Sequence, residues 1–295
     1  MNKTVLSLFT CEFHDFEVKI ADAVVKKSLP LVKCKNISAF VQLLLDLKEC
    51  NPHDQIVKIG LDGGGGFLKA TLNIVSKEPV EPEEKKICYS EGFRQKFKPG
   101  SVQCSFLVAI VPQVKETNRY VHLVVKSLNL QEIEHVLVAD LKLCQVAAGI
   151  SESANAIHPC YVCTWDRTKP FSPGEFRTLE SQRVSYEAFK DSGAPKKDVR
   201  MYDNCLNLSV LSGEGSEKLI DKLVPPELHL MEGTVNHLYT KMKEHSENSS
   251  KIEEVVKNLH IQQGGLSGKF NGNACMKLLK NVDKFREVLE ENTQI

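Results

Sequence analysis

Two aspartates, each closing a short apolar run, constrain this chain more than any other feature. Asp62 follows the run at 55–61, and Asp140 follows the run at 136–139. Short apolar runs of this kind predict buried β-strands. A carboxylate at the tip of a buried strand is costly unless a cation or hydrogen-bond donors meet it. If the two strands are neighbours, the two carboxylates can share a divalent metal ion.

The same two residues have a simpler interpretation. An aspartate at the end of a strand often caps a turn or a helix. Asp140 in particular is placed to be the N-cap of a helix that begins at Leu141. Both interpretations stay open on the sequence alone.

The order of elements around the two aspartates predicts an α/β fold. Three strands in series suggest an antiparallel meander, and a strand reached through a helix should lie parallel beside the first strand. This is the ribonuclease H-like order, so we expect a mixed sheet of that type with a mostly helical C-terminal insertion region. The predicted strands are 55–61, 67–75, 104–111 and 133–139, and the predicted helices are 117–128 and 141–149.

The remaining segments suggest three parts. Residues 1–50 form an N-terminal segment of unknown role with a helical stripe at 37–47, and residues 51–166 form the core. Residues 167–295 are expected to be a zinc-associated loop and an incomplete helical insertion. Within this last part, the stretch up to residue 222 is polar with loop signals, and helical spacing begins after Pro225 and returns at 252–259 and 276–289.

Composition narrows the setting of the protein. The 295 residues are 42% hydrophobic, which is enough for a sizeable core, and the net charge of +0 does not indicate nucleic acid. Any contact with DNA therefore needs a local basic surface. The ten cysteines show no disulfide-like rhythm, and no window approaches the roughly 20 apolar residues of a membrane span. We expect an intracellular protein with reduced thiols and no membrane partner.

A Cys-x-x-Cys pair follows the second aspartate by twenty residues. Cys160 and Cys163 have the spacing of half a zinc site. A structural zinc ion needs four ligands, and no second close pair is evident among the other cysteines and histidines. The alternative is two buried cysteines on a strand.

Four consecutive glycines stand directly after Asp62. The run from Gly63 to Gly66 permits a tight turn between two strands, or close approach of the backbone to a ligand such as a phosphate. No Gly-Lys-Ser/Thr follows, so it is not a Walker motif.

The collinear order of these motifs resembles a known family. The chain is similar to the catalytic core of the recombination-activating V(D)J recombinase and of the Transib-type cut-and-paste DDE transposases. The matching features, over about residues 55–295, are Asp62 and its glycine turn, Asp140, Cys160-Tyr161-Val162-Cys163, Leu228-His229, and the Asn271-Gly272-Asn273 element within 270–279.

The resemblance implies a function and a set of sites. Asp62 and Asp140 would be the first two catalytic acids and would bind Mg²⁺ or Mn²⁺, and Cys160 and Cys163 would bind Zn²⁺. The partner would be DNA, the location would be the nucleus, and a homodimer is an open possibility. The family's third acid and its downstream histidine pair have no match here, so we expect a truncated or domesticated derivative that does not cleave DNA alone.

Two other functions remain open. Asp62 with its glycines and Asp140 as a general base also resemble sugar kinases of the actin and hexokinase superfamily. Phe67 stands where those enzymes usually have a hydroxyl residue, and no second glycine-rich nucleotide segment is evident. The third possibility is a non-catalytic nuclear interaction module.

Overall fold

The chain divides into two compact units, Met1–Val224 and Pro225–Ile295. The structure is a computed structural model that describes residues 7–20, 23–47, 51–77, 105–153, 156–245, 249–264 and 268–290. The sequence-based division of the chain at residues 50 and 166 follows the expected function of each part. That division stays a prediction.

A mixed seven-stranded sheet with helices makes unit 1 an α/β structure. Its spatial order is β1-β2-β5-β4-β3-β6-β7. The strands β3, β4 and β5 form an antiparallel meander, β6 lies parallel to β3, and β7 lies parallel to β6. The hairpin β1–β2 extends the sheet antiparallel to β5. The strands are β1 (Phe9–Ile20), β2 (Ala23–Cys34), β3 (Gln55–Asp62), β4 (Phe67–Ser76), β5 (Phe106–Pro112), β6 (His135–Ala139) and β7 (Leu223–Val224).

Alternating apolar residues give this sheet one strongly buried face. Ile59 pairs with Leu72 on β4 and with Leu137 on β6, and all three side chains are fully buried. Burying one such side chain stabilises the fold by about 1.5–3 kcal/mol. The alternation of apolar residues along these strands therefore determines which face of the sheet is buried.

Helices of unit 1 cover that buried face. Phe40 meets Phe106 edge to face at 5.7 Å, and Tyr120 meets Phe16 at 4.9 Å. The helices of this unit are α1 (Ile37–Leu47), α2 (Asn118–Ser127), α3 (Leu141–Ala148), α4 (Leu179–Asp191) and α5 (Leu219–Lys222). In the described part of the chain, no helix is both long and apolar enough to cross a bilayer.

The predicted meander and the parallel return strand are confirmed, whereas the polar stretch before residue 222 is not all loop. Helix α4 lies within it and begins at a capping box, where the Thr178 hydroxyl accepts the Ser181 N–H at 3.0 Å. Arg183 pairs with Glu180 and Glu187 along its exposed side. A helix held by caps and ion pairs has a weak apolar period, which is why the pattern did not indicate it.

Unit 2 is helical and has its own apolar core. Its helices are α6 (Glu227–His245), α7 (Ser249–Asn258), α8 (Gly272–Leu279) and α9 (Val282–Glu290). The Asn236 side chain accepts the Phe270 N–H at 2.8 Å and donates to the Phe270 carbonyl at 3.0 Å, which ties α6 to the segment before α8. The core residues are Val235, Ile252, Val256, Leu259, Ile261, Phe270, Cys275, Leu278 and Phe285.

The prediction of one helix over 276–289 is wrong, because two helices meet there. The first ends at Leu279 and the second begins at Val282. Between them, the Asn281 side chain donates to the Lys277 carbonyl at 2.8 Å. An asparagine that bonds the backbone in this way competes with helix continuation.

Candidate functional site

The parallel register of β3 and β6 brings the two predicted aspartates to neighbouring strand ends. The last paired residues are Leu61 and Ala139, so Asp62 and Asp140 each come one residue later. Adjacent strands lie about 4.8 Å apart. The expectation that these two residues meet at one edge of the sheet agrees with this arrangement.

Both carboxylates already bind protein groups. Asp62 Oδ2 lies 2.6 Å from Lys69 Nζ, and Asp62 Oδ1 accepts the Gly64 N–H at 2.9 Å. Asp140 Oδ1 accepts the Leu143 N–H at 2.7 Å, so Asp140 is the N-cap of α3. Asp62 is thus an exposed ion-pair partner, and Asp140 has the capping role that its position before Leu141 indicated.

A third carboxylate, Glu116, lies at the same edge and was not predicted. It belongs to the connection between β5 and α2, and its Oε2 lies 2.7 Å from Lys142 Nζ. A Cβ atom at Gly63 would fall 1.8 Å from Glu116 Oε1, so any larger residue there would require the Glu116 side chain to move. The sequence gives no local signal for Glu116, since it follows no strand tip and its neighbours come from distant segments.

Two lysines neutralise much of this acidic edge. Lys142 Nζ also lies 3.9 Å from Glu152 Oε2. Glu116 raises the pKa of Lys142, and Glu152 and Asp140 add to the effect. Together with the Asp62–Lys69 pair, the edge combines four carboxylates with two ammonium groups. The two ammonium groups offset two of these four negative charges.

The edge as it stands does not fit a two-metal centre. Among the residues that the structure describes, no three histidine, cysteine, aspartate or glutamate side chains are placed to hold one metal ion. Asp62 would have to leave Lys69, and Asp140 would have to release the Leu143 amide, before both could turn to a shared ion. No catalytic step through a metal follows from this geometry.

The Cys160–Cys163 pair forms a turn at the base of a small hairpin. Both residues are half-buried, and a bridge joins Cys163 to Phe176 on the returning segment. Burial raises the pKa of the Cys163 thiol, and the neighbouring Cys160 raises it further. A zinc ion would therefore have to displace thiol protons. The described residues supply two of the four ligands that zinc needs.

A buried arginine, which the sequence did not indicate, organises the cysteine turn. Arg177 is 1% exposed, and its Nε–H points at the carbonyls of Cys160 (3.0 Å) and Cys163 (3.2 Å). Its Nη2 donates to the Asp203 carbonyl at 2.7 Å, and its Nη1 contacts Cys205 Sγ at 3.5 Å. One side chain thus links the turn to a segment more than twenty residues away.

The other residues named by the resemblance lie in unit 2. Leu228 and His229 lie in the first turn of α6, and their side chains fall outside the described residues. His237 lies on the same helix. Asn271 Oδ1 accepts the Ala274 N–H at 3.0 Å, so it is the N-cap of α8.

Comparison with known proteins supplies no family for this chain. No family model matches it, and a search of curated proteins finds no match. Function is therefore inferred from the geometry of the acidic edge and the cysteine turn.

Proposed function

We propose that this chain is a transposase-derived protein with a ribonuclease H-like core, which binds DNA and does not cut it alone. One observation carries the proposal. Asp62 and Asp140 end two adjacent parallel strands, and the order β5-β4-β3-β6-β7 is the one expected of a ribonuclease H-like sheet. DDE recombinases, which the motifs resemble, place their first two acids at such strand ends.

The ion pairs at the edge support the absence of cleavage. Strand cleavage of this type needs metal ions that activate the nucleophile and stabilise the leaving oxygen. Here Lys69 holds Asp62, and Lys142 holds Glu116.

The resemblance also supplies the cofactors and the setting of the proposal. Mg²⁺ or Mn²⁺ would bind Asp62 and Asp140 in an active relative, and Zn²⁺ would bind Cys160 and Cys163 with ligands from elsewhere. The nucleus is the corresponding location. None of these is required for the DNA-binding role proposed here.

The geometry disfavours the alternative function of this chain as a sugar kinase. In that function the glycines after Asp62 would cradle a phosphate. The Glu116 carboxylate lies directly against Gly63, where it would repel a phosphate group. Gly63 to Gly66 instead form the turn that joins β3 to β4.

The test combines a binding and a cleavage assay on one protein preparation. Fluorescence anisotropy of a labelled duplex, measured over a series of salt concentrations, reports DNA binding. Nicking of supercoiled plasmid in Mn²⁺ reports cleavage. We expect salt-dependent binding, and nicking no greater than that of an Asp62→Asn/Asp140→Asn variant.

Two results would contradict the proposal in different ways. Absence of binding at every salt concentration removes the DNA-binding role. Nicking by the unaltered protein that disappears in the double variant shows an active enzyme instead.

A further inference from the structure

A rigid loop in unit 1 displays one aromatic ring entirely to solvent. Phe171 is 99% exposed, at the tip of the segment that follows the Cys160–Cys163 turn. Single exposed apolar side chains are common on protein surfaces. This one differs because the loop around it is fixed by hydrogen bonds and does not use the ring for its own packing.

Internal bonds hold the tip of the loop. Asp166 Oδ1 accepts the Thr168 N–H at 2.8 Å and the Thr168 hydroxyl at 2.7 Å. The Trp165 indole N–H donates to the Pro170 carbonyl at 3.3 Å. Pro170, the residue before Phe171, is thus hydrogen-bonded to Trp165 on the N-terminal side of the loop.

The base of the loop is equally fixed. The Thr164 N–H donates to the Glu175 carbonyl at 2.9 Å, and the Arg177 N–H donates to the Val162 carbonyl at 2.9 Å. A Cβ atom at Gly174 would lie 2.1 Å from the Trp165 backbone nitrogen, so the two sides of the loop are in close contact. A loop ordered in advance loses little conformational entropy when it binds a partner.

The surroundings of Phe171 suit a nucleic acid. Arg167 and Lys169 are exposed on the same loop. Basic side chains bind phosphates, and an aromatic ring stacks on a base without regard to sequence. An apolar ring can also enter between base steps and unstack them.

We propose that Phe171 stacks on an unpaired or unstacked base of bound DNA while Lys169 contacts the phosphate backbone. This rests on the DNA binding proposed above and assigns to it a contact residue outside the acidic edge. Because the ring is free of protein contacts, its removal should change binding and leave folding intact.

The test uses labelled single-stranded DNA and fully paired duplex. Phe171→Ala should weaken single-strand binding roughly 5- to 100-fold, the range expected for loss of one stacking contact. Phe171→Trp should bind at least as well as the unaltered protein. A 2-aminopurine base in the single strand should change fluorescence on binding to the unaltered protein, and change less with Phe171→Ala.

Met201→Ala is the matched control. Met201 is another strongly exposed apolar residue of unit 1, at 76%, and its loss should not alter binding. Thermal unfolding of every variant should match that of the unaltered protein.

The outcomes separate this inference from the proposed function. If the unaltered protein binds DNA and Phe171→Ala binds equally well, stacking is excluded and DNA binding stands. Stacking is also excluded if Phe171→Ala weakens binding to single strand and duplex equally and leaves the 2-aminopurine signal unchanged. It is likewise excluded if Phe171→Ala changes only the self-association of the protein. If the unaltered protein binds no DNA, the proposed function itself fails.

Discussion

Arg177 places a permanent positive charge inside unit 1. Its guanidinium group contacts three carbonyl oxygens and one sulfur atom, in the cysteine turn and in the segment at 203–205. A buried charge is tolerated only when hydrogen bonds satisfy it. The residue therefore fixes the relative positions of the Cys160–Cys163 turn and the segment at Asp203.

Replacing Arg177 should destabilise the protein strongly. Arg177→Ala leaves several buried acceptors without a donor, so we expect the free energy of unfolding to fall by about 3 kcal/mol or more. Urea denaturation with linear extrapolation measures the change. The control, Arg183→Ala, removes an exposed arginine whose ion pairs with Glu180 and Glu187 should contribute no more than about 1 kcal/mol. Equal effects of the two variants would contradict this role.

His135 links stability to pH. Burial lowers the pKa of His135, and the positive charge of the nearby Lys222 lowers it further. The hydrogen bond between Nδ1 and the Ile133 carbonyl raises this pKa, but by less than burial lowers it. As pH falls below about 6.5, the unfolded chain takes up a proton that the folded protein resists. The unfolded state then binds more protons, so stability falls on acidification.

The corresponding variant should have a flatter stability profile. Between pH of about 7.5 and 5.5, His135→Gln should lose less stability than the unaltered protein, because the titrating group is gone. Denaturation curves at several pH values give the comparison. His53→Gln, at an exposed position, serves as the control and should follow the unaltered protein. An identical slope for His135→Gln would rule out this assignment.

Helix α3 gives a way to separate the capping role of Asp140 from any chemical one. The carboxylate accepts the Leu143 N–H, which an asparagine oxygen can also do. Asp140→Ala should therefore lower the free energy of unfolding by about 1 kcal/mol, and Asp140→Asn should change it little. Chemical denaturation of both variants measures this. If Asn destabilises as much as Ala, the charge rather than the cap stabilises the helix start.

At the scale of single helices and strands, a strong apolar pattern was sufficient to predict the element. Elements that depend on contacts with distant residues were not predicted. Apolar runs correctly predicted β3, β4 and β6. Helix α3 ends at Gly149, which has a positive φ of 76°, as the predicted helix over 141–149 indicated. Helix α4 was missed because polar contacts hold it. The strand β7 has two residues and depends on pairing with β6, so no local period could indicate it.

At the scale of the whole molecule, the sequence located half of the candidate site. Asp62 and Asp140 follow apolar runs, and topology rules then place those runs side by side. Glu116 reaches the edge through a connection, and Arg177 reaches the cysteine turn from beyond the loop. Such residues are defined by tertiary contacts, which a single sequence does not record.

The net charge of +0 hides an uneven distribution of charge. At the acidic edge, Lys69 and Lys142 neutralise carboxylates that would otherwise attract a metal ion. In the proposed function, these two ammonium groups take the place of a divalent cation, which is why the protein would not cut DNA alone.

Titration with Mn²⁺, followed by electron paramagnetic resonance of the free ion, tests whether Lys69 and Lys142 exclude a divalent cation. A Lys69→Met/Lys142→Met variant should bind Mn²⁺ at least about tenfold more tightly than the unaltered protein, since removing a unit charge about 4 Å away is worth roughly 1–4 kcal/mol. Adding Asp62→Asn should abolish the gain. Equal Mn²⁺ binding by the unaltered protein and the lysine variant would contradict the account.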